Sequence, residues 1–389
     1  MRRVTLPERP HWREEAERLG FGFHEMYGEP YWADDVAFLF TLDEIETRVE
    51  DPTSALHAMC MDFVADAVES EETLARLLIP EGARDLVRAS WRDGDRHLYG
   101  RFDLAYDGSG PPVMLEYNAD TPTGVFEASY FQHGWLVDRV EDGSLPAGAD
   151  QFNLIQESLV EAFGAIVADL VPTPILHVAC ATANDEERGT ATYLMDCAVQ
   201  AGLRTDMIDV EAIGVDAEGR FTDASDRVID RCFKLYPWED MLREPFARHI
   251  RPGTFIEPAW KAVLSTKALL PLLWERHPGH PNLVPAYFAE DARAGDLTDA
   301  VSKPVHGREG ENVVMVSGAE TVARTDGTRA DEPRVVQERA RLFETDGRHA
   351  VLGTWVVGDR ACGLGVREDS GPITRDLSRF VPHAIVPGE

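Results

Sequence analysis

Apolar residues recur three and four apart through most of the first 90 positions, over 13–19, 42–49 and 52–78, so the chain opens as a mainly helical stretch. The period then shortens. Segments 96–106 and 113–118 alternate apolar with polar residues, as half-buried strands do, and the run Asp107-Gly-Ser-Gly-Pro-Pro between them is a turn. At Thr121-Pro-Thr-Gly124 a helix is expected to begin, with Thr121 as its cap and Pro122 in the first helical position. An amphipathic helix is predicted over 152–170. Beyond it, strands at 175–181, 205–210 and 227–235 alternate with a helix at 187–201, a βαβ rhythm that points to a parallel or mixed sheet. Residues 265–276 read as a helix that Pro271 kinks or breaks. The last quarter is rich in strands, at 300–305, 312–316, 334–338, 350–357 and 361–367, with polar connectors at 291–299 and 323–331. The 389 residues exceed what one core usually holds, so the chain is expected to divide near residues 95, 172 and 255.

The alternation also sorts side chains by face. On a strand, residues two apart share a side, so Glu116 projects with Asn118, and Arg101 with Asp103. Paired, the two strands would gather Asp103, Glu116 and Asn118 into a cluster of hard oxygen donors with Arg101 beside it. Such donors suit Mg²⁺, which is held by one or two carboxylates together with substrate phosphates. The same spacing fits a strand with a solvated polar face.

Charge narrows the partners. With 69 acidic and 38 basic residues the net charge is −31, which repels nucleic acid and anionic membrane surfaces and attracts cations such as polyamines or basic peptides. Solubility or adaptation to salt would produce the same balance. There is no run of about 18 apolar residues to span a membrane. Residues 1–12 lack the apolar core of a signal peptide, and five scattered cysteines form no C-x-x-C, so a cytoplasmic protein with buried thiols is expected.

Lysine is scarce: Lys234, Lys261, Lys267 and Lys303 are the only four among 38 basic residues. Lys267 opens the predicted helix at 265–276. Lys303 lies on the strand at 300–305, just before the loop His306-Gly-Arg-Glu-Gly-Glu, where an ammonium and loop N–H groups could hold phosphates; a surface lysine beside a turn has the same sequence. Arg367 follows the small residues Ala361-Cys-Gly-Leu-Gly, which leave room for a ligand or another backbone. It could neutralise a phosphoryl group or pair with Glu368 or Asp369. The motifs G-x-x-x-x-G-K-[ST], G-x-G-x-x-G, G-x-S-x-G and H-E-x-x-H are absent. His277-Pro-Gly-His280 reads as a loop.

Taken in order, Arg101-Phe-Asp103, Glu116-Tyr-Asn-Ala-Asp-Thr-Pro-Thr-Gly124, Asp185-Glu-Glu-Arg-Gly-Thr190, Phe233-Lys-Leu-Tyr-Pro-Trp-Glu239 and the stretch from Glu257 to Lys267 resemble the glutathionylspermidine synthase-like ATP-grasp family. Lys303-Pro-Val-His-Gly-Arg-Glu-Gly310, Gly353-Thr-Trp-Val-Val-Gly358, Gly365-Val-Arg-Glu-Asp369 and Ser378-Arg-Phe-Val-Pro-His383 extend the resemblance over nearly the whole chain. It implies a mixed α/β ATP-grasp fold with metal-binding strands N-terminal to the ATP-binding lysines. It also implies an ATP- and Mg²⁺-dependent carboxylate–amine ligase that forms an amide through an acyl phosphate, joining a small peptide or amino-acid carboxylate to an amine such as a polyamine.

Residue by residue, the resemblance places Mg²⁺ on Asp103, Glu116 and Asn118, and the reacting phosphoryl group on Arg101 and Arg367. ATP falls to Lys267 and Lys303, to a flap of Arg308, Glu309 and Gly310, and to a hinge of Gln337, Glu338 and Arg339 that meets adenine. Thr121 and Thr123 would meet the carboxylate substrate, and Glu186 and Glu187 the amine. On this basis 96–172 carries the metal site, 173–255 is a substrate-binding subdomain, and 256–389 holds the lysines, flap and hinge. No amidase-type domain is expected, the chain resembling the stand-alone synthetase branch. A non-catalytic nucleotide- or peptide-binding member, and a kinase that stops at the phosphorylated carboxylate, share the same residues.

Overall fold

The computed structural model describes residues 1–168 and 175–387. At its centre is an antiparallel sheet in the order Arg379–Val381, Arg360–Asp369, Arg348–Val357, Tyr99–Ala105, Val113–Asn118, with Phe343–Thr345 pairing a further stretch of Arg348–Val357. The sheet therefore draws on both 96–172 and 256–389. A parallel sheet, Phe255–Ile256, Arg231–Lys234, Ile175–Cys180, Arg204–Asp209, follows the predicted βαβ rhythm, with helix Asp185–Gln200 as its crossover. An antiparallel sheet built from Ala286–Phe288, Arg334–Glu338, Asp299–Pro304, Val314–Ser317 and Glu320–Arg324 carries Lys303 and the predicted hinge. The architecture is the mixed α/β arrangement expected.

Several elements differ from the expectation. The first 90 residues also hold strands Arg2–Thr5 and Val36–Phe40, which pair with each other; His383–Ile385 joins the latter in parallel. Val36–Phe40 is a wholly buried apolar run, too short for periodicity to tell strand from helix. Segments 42–49 and 52–78 are divided differently. Helix Leu42–Ile45, fixed by a Thr41–Glu44 capping box, runs through a π-helical Glu46–Glu50 into helix Asp51–Ala67. Pro52 has no N–H for the α-helical ladder, and the wider turn before it absorbs the missing bond. Ser70 then caps a separate helix, Glu71–Arg76.

Helix Leu269–Arg276 starts later than predicted, which puts Pro271 in the first turn, where N–H groups have no helical partner. Lys267 sits in the turn before it. The strand predicted at 227–235 is confined to Arg231–Lys234, and the polar connectors contain a 3₁₀ turn, Ala292–Asp296, and the end of strand Glu320–Arg324. The helix predicted over 152–170 is Ile155–Ala168; residues 169 and 170 lie outside the described residues. All five cysteines are free and buried, and no described helix is long and apolar enough to cross a membrane.

The small residues before Arg367 make room for protein, not ligand. A Cβ on Gly363 would come within 2.4 Å of Ile155 on the overlying helix, and one on Gly365 within 2.8 Å of Phe380. Overpacking of this kind costs about 1–3 kcal/mol. Gly363→Ala is therefore expected to lower the free energy of unfolding by that amount, read as a lower denaturant midpoint, and an unchanged midpoint would show that Ile155 moves aside freely.

Candidate active site

Strands Tyr99–Ala105 and Val113–Asn118 pair with Arg101 opposite Asn118, Phe102 opposite Tyr117 and Asp103 opposite Glu116, with a register shift after Asp103. Phe102 and Tyr117 stack on one face, with ring centroids 3.7 Å apart. The other face collects the polar residues. Arg101 Nε donates to Asp103 Oδ1 at 2.7 Å, and Asn118 Nδ2 donates to Asp103 Oδ2 at 3.1 Å and Glu116 Oε1 at 3.3 Å. The juxtaposition expected from spacing is present in full.

Two like charges side by side are held by cations brought from elsewhere. Lys267 Nζ lies 2.7 Å from Glu116 Oε2 and donates to the Gly307 carbonyl at 2.6 Å. Lys303 Nζ donates to the Leu115 carbonyl at 3.0 Å. Burial opposes the charge of Glu116, yet the two ammoniums bring its carboxyl down to about 2. Burial raises Asp103, against the pull of Arg101. Lys303 is pushed down to about 8 by burial, with Glu116 resisting.

Two cavities meet here. One, of about 720 Å³, is lined by Arg101, Thr121, Thr123, Glu186, Glu187, Arg308 and Arg367, among others. The second, of about 470 Å³, lies along the antiparallel sheet and is bounded by Lys303, Val301, Met315 and residues 337–342. Asp103, Glu116, Lys267, Glu309 and Gly310 border both. The 306–310 loop is fastened across the junction: Arg308 donates to Glu239 Oε1 at 2.8 Å and to Thr121 Oγ1 at 3.1 Å. Gly310 has φ +68°, and a Cβ there would stand 2.2 Å from the Thr374 carbonyl, so only glycine lets the loop pack this closely on Ile373 and Thr374.

A family model described as "Glutathionylspermidine synthase preATP-grasp" matches residues 3–386. The chain belongs to the glutathionylspermidine synthase family. A Haemophilus influenzae protein named "Putative acid--amine ligase" is 41% identical over the whole of both chains. Trypanothione synthetase of Crithidia fasciculata is 27% identical over 82% of this chain and 52% of its own length. For the Escherichia coli bifunctional glutathionylspermidine synthetase/amidase the figures are 26%, 96% and 63%. A glutathione synthetase-like effector from Globodera pallida shares the fold with a TM-score of 0.58 at 11% identity, covering 98% of this chain and all of that one. The sequence relatives are named as ligases and synthetases, so the family to which the chain belongs is one of ligases.

Within this family member, the other expected residues are placed unevenly. Arg367 reaches the larger cavity, but it pairs with neither Glu368 nor Asp369: its guanidinium donates to the carbonyls of Arg375, Asp376 and Ser378 and so shapes the 374–378 loop. Thr121 does not cap a helix. Its hydroxyl meets Arg308, the Pro122 carbonyl accepts from Tyr99 and the Thr123 carbonyl accepts from Arg101, so 121–124 is a loop, ending at Gly124 with φ +84°, and the helix begins at 125. Glu187 accepts from the Ala181 N–H, whereas Glu186 has no ion pair among the described residues. Gln337 donates to the Met114 carbonyl, and the N–H groups of Glu338 and Arg339 are bonded to the carbonyls of Pro285 and Asp299.

Two buried ion pairs use lysines to which neither the sequence pattern nor the resemblance gives a role. Lys234 lies 2.6 Å from Asp120, each 1% exposed, and Lys261 lies 2.6 Å from Glu257, both fully buried. The scarcity of lysine was the available signal: all four lysines are drawn into this region. A small amine-reactive reagent at pH 8 is therefore expected to modify Lys303, which opens on a cavity and is half neutral there, well ahead of Lys234 and Lys261. Peptide mass mapping checks this, and equal modification of the three would refute the burial pattern.

Proposed function

We propose that the chain is an ATP- and Mg²⁺-dependent carboxylate–amine ligase. The observation that carries this reading is the meeting of two cavities at one carboxylate pair, with a lysine from a different element on each side. The smaller, more apolar cavity suits a nucleotide base, with Gln337, Glu338 and Arg339 in its wall and Lys267 and Lys303 toward the phosphates. The larger suits two substrates: Arg101, Arg367, Thr121 and Thr123 toward a carboxylate, Glu186 and Glu187 toward an amine.

Asp103 and Glu116 form a hard-oxygen donor pair that would suit Mg²⁺, with lone pairs left over beyond those the neighbouring cations use, and Asn118, whose Nδ2 faces both carboxylates, would join them by turning its amide to present the oxygen. When bound there, the ion neutralises phosphate charge. The chain's own residues do the rest by position and charge. Lys267 exchanges Glu116 for a phosphate oxygen, and Arg308, Glu309 and Gly310 close over the junction and exclude water. Arg101 holds the carboxylate in line as its oxygen attacks the γ-phosphorus and ADP leaves. The amine nitrogen then attacks the acyl carbon and phosphate leaves, so the product is lighter than its two parts by one water. Glu186, which has no ion pair among the described residues, would hold the incoming ammonium.

ADP release with Mg²⁺-ATP, across a matrix of amino acids, small peptides and polyamines, with mass spectrometry of products, tests this. ADP that requires both partners, with the dehydrated adduct, is expected. ADP with a phosphorylated carboxylate and no adduct would mean a kinase, and no ADP with any pair would count against catalysis. Lys303→Ala and Glu116→Ala are each expected to lower turnover about 10²-fold or more. The Lys303 charge is lost as pH rises through about 8, so nucleotide affinity should fall above that pH. Lys303→Arg should flatten the profile, and an unchanged profile would remove Lys303 from the phosphate site.

A further inference from the structure

Behind the carboxylate pair, on the opposite face of the same strands, a second cluster converges. His57 comes from helix Asp51–Ala67, His97 from the segment just before strand Tyr99–Ala105, and Asp359 from the turn joining Arg348–Val357 to Arg360–Asp369. His57 Nε2 lies 3.1 Å and His97 Nε2 3.2 Å from the same oxygen, Asp359 Oδ1, and the three ligand atoms fall within 4.8 Å of one another. The imidazole rings stack at 5.9 Å, and Trp260 packs edge-on against His97 at 5.2 Å.

We propose that His57, His97 and Asp359 form a binding site for a divalent transition-metal ion of the Zn²⁺ class. Two imidazoles and a carboxylate are a donor set that such ions favour and that Mg²⁺, which prefers oxygen, does not. Tetrahedral bonds of about 2.0–2.1 Å set neighbouring ligand atoms roughly 3.3 Å apart, close to the two separations at Asp359. The other ring nitrogen of His57 faces the Tyr117 hydroxyl at 3.1 Å, a partner of the kind that orients a ligating imidazole. The Asp359 side chain is 76% exposed, which gives an ion an entry path and water a coordination position.

The contrast with His177, Asp206 and Asp223 is informative, since these are the other His/Cys/Asp/Glu group of ligand-like spacing among the described residues. There Arg227 bonds both carboxylates, so a guanidinium already supplies the positive charge. No lysine or arginine pairs with Asp359 among the described residues. An ion at the first cluster would tie together positions 57, 97 and 359 and, through Tyr117, steady the strand that carries Glu116 and Asn118. The inference does not depend on the ligase reading.

The test uses the full, untagged chain stripped of metal and titrated calorimetrically with Zn²⁺ alone. One ion per chain is expected to bind through this cluster and to raise the melting temperature. Its affinity should drop at least ~10-fold in His97→Ala and Asp359→Asn and about 10-fold in Tyr117→Phe. It should persist in His177→Ala and in Glu116→Gln. Asp359→Asn changes an exposed turn residue, so its folding is not in question. Equal binding by wild type and Asp359→Asn, loss of binding in Glu116→Gln instead, or no Zn²⁺ binding would each overturn the proposal.

Discussion

Asp103 directly opposite Glu116 is the constraint around which this molecule is organised. Like charges facing each other across an antiparallel pair repel, and in a half-buried site the repulsion is poorly screened. Each cation that relieves it comes from a different part of the chain: Arg101 from the same strand, Lys267 from the turn before helix Leu269–Arg276, Lys303 from a strand of another sheet. The charge requirement therefore also determines how these parts dock. That the cluster lies where two cavities join makes the same requirement the basis of the proposed chemistry.

The buried pairs Asp120–Lys234 and Glu257–Lys261 extend this logic. Buried ion pairs add little net stability, but removing one partner is costly, so they specify geometry more than they strengthen it. Asp120 holds the Lys234 ammonium and the Trp238 N–H, linking the loop after Val113–Asn118 to the parallel sheet. Glu257 accepts from the Leu98 and Tyr99 N–H groups, and Lys261 donates to the Tyr99 carbonyl, anchoring the start of the other central strand. Both strands bearing the carboxylates are thus clamped at their ends.

The loops over the site are held by weaker, half-exposed bonds. Arg308 bridges Glu239 and Thr121, and Arg367 gathers the carbonyls of 375–378 beneath the Gly310 contact with Thr374. Partly exposed bonds of this kind contribute little net stability, so they exchange more readily than the buried pairs below. Sealed pairs thus lie below the site and partly exposed pairs above it.

Local pattern by itself determined the face-sharing of Arg101, Asp103, Glu116 and Asn118, because a strand's period of two and a short turn leave few ways to pair them. It also determined the βαβ unit and, through the scarcity of lysine, the residues worth examining. The ordered motifs extended that to the family. Short buried strands such as Val36–Phe40 were not legible, since five apolar residues carry no period. Nor could local pattern show that Thr121 is drawn from a cap to Arg308, that Gly363 yields to Ile155, or that Arg367 bonds carbonyls instead of acids. Those outcomes, and the meeting of His57, His97 and Asp359, depend on contacts between distant segments, which only the packed tertiary structure brings together.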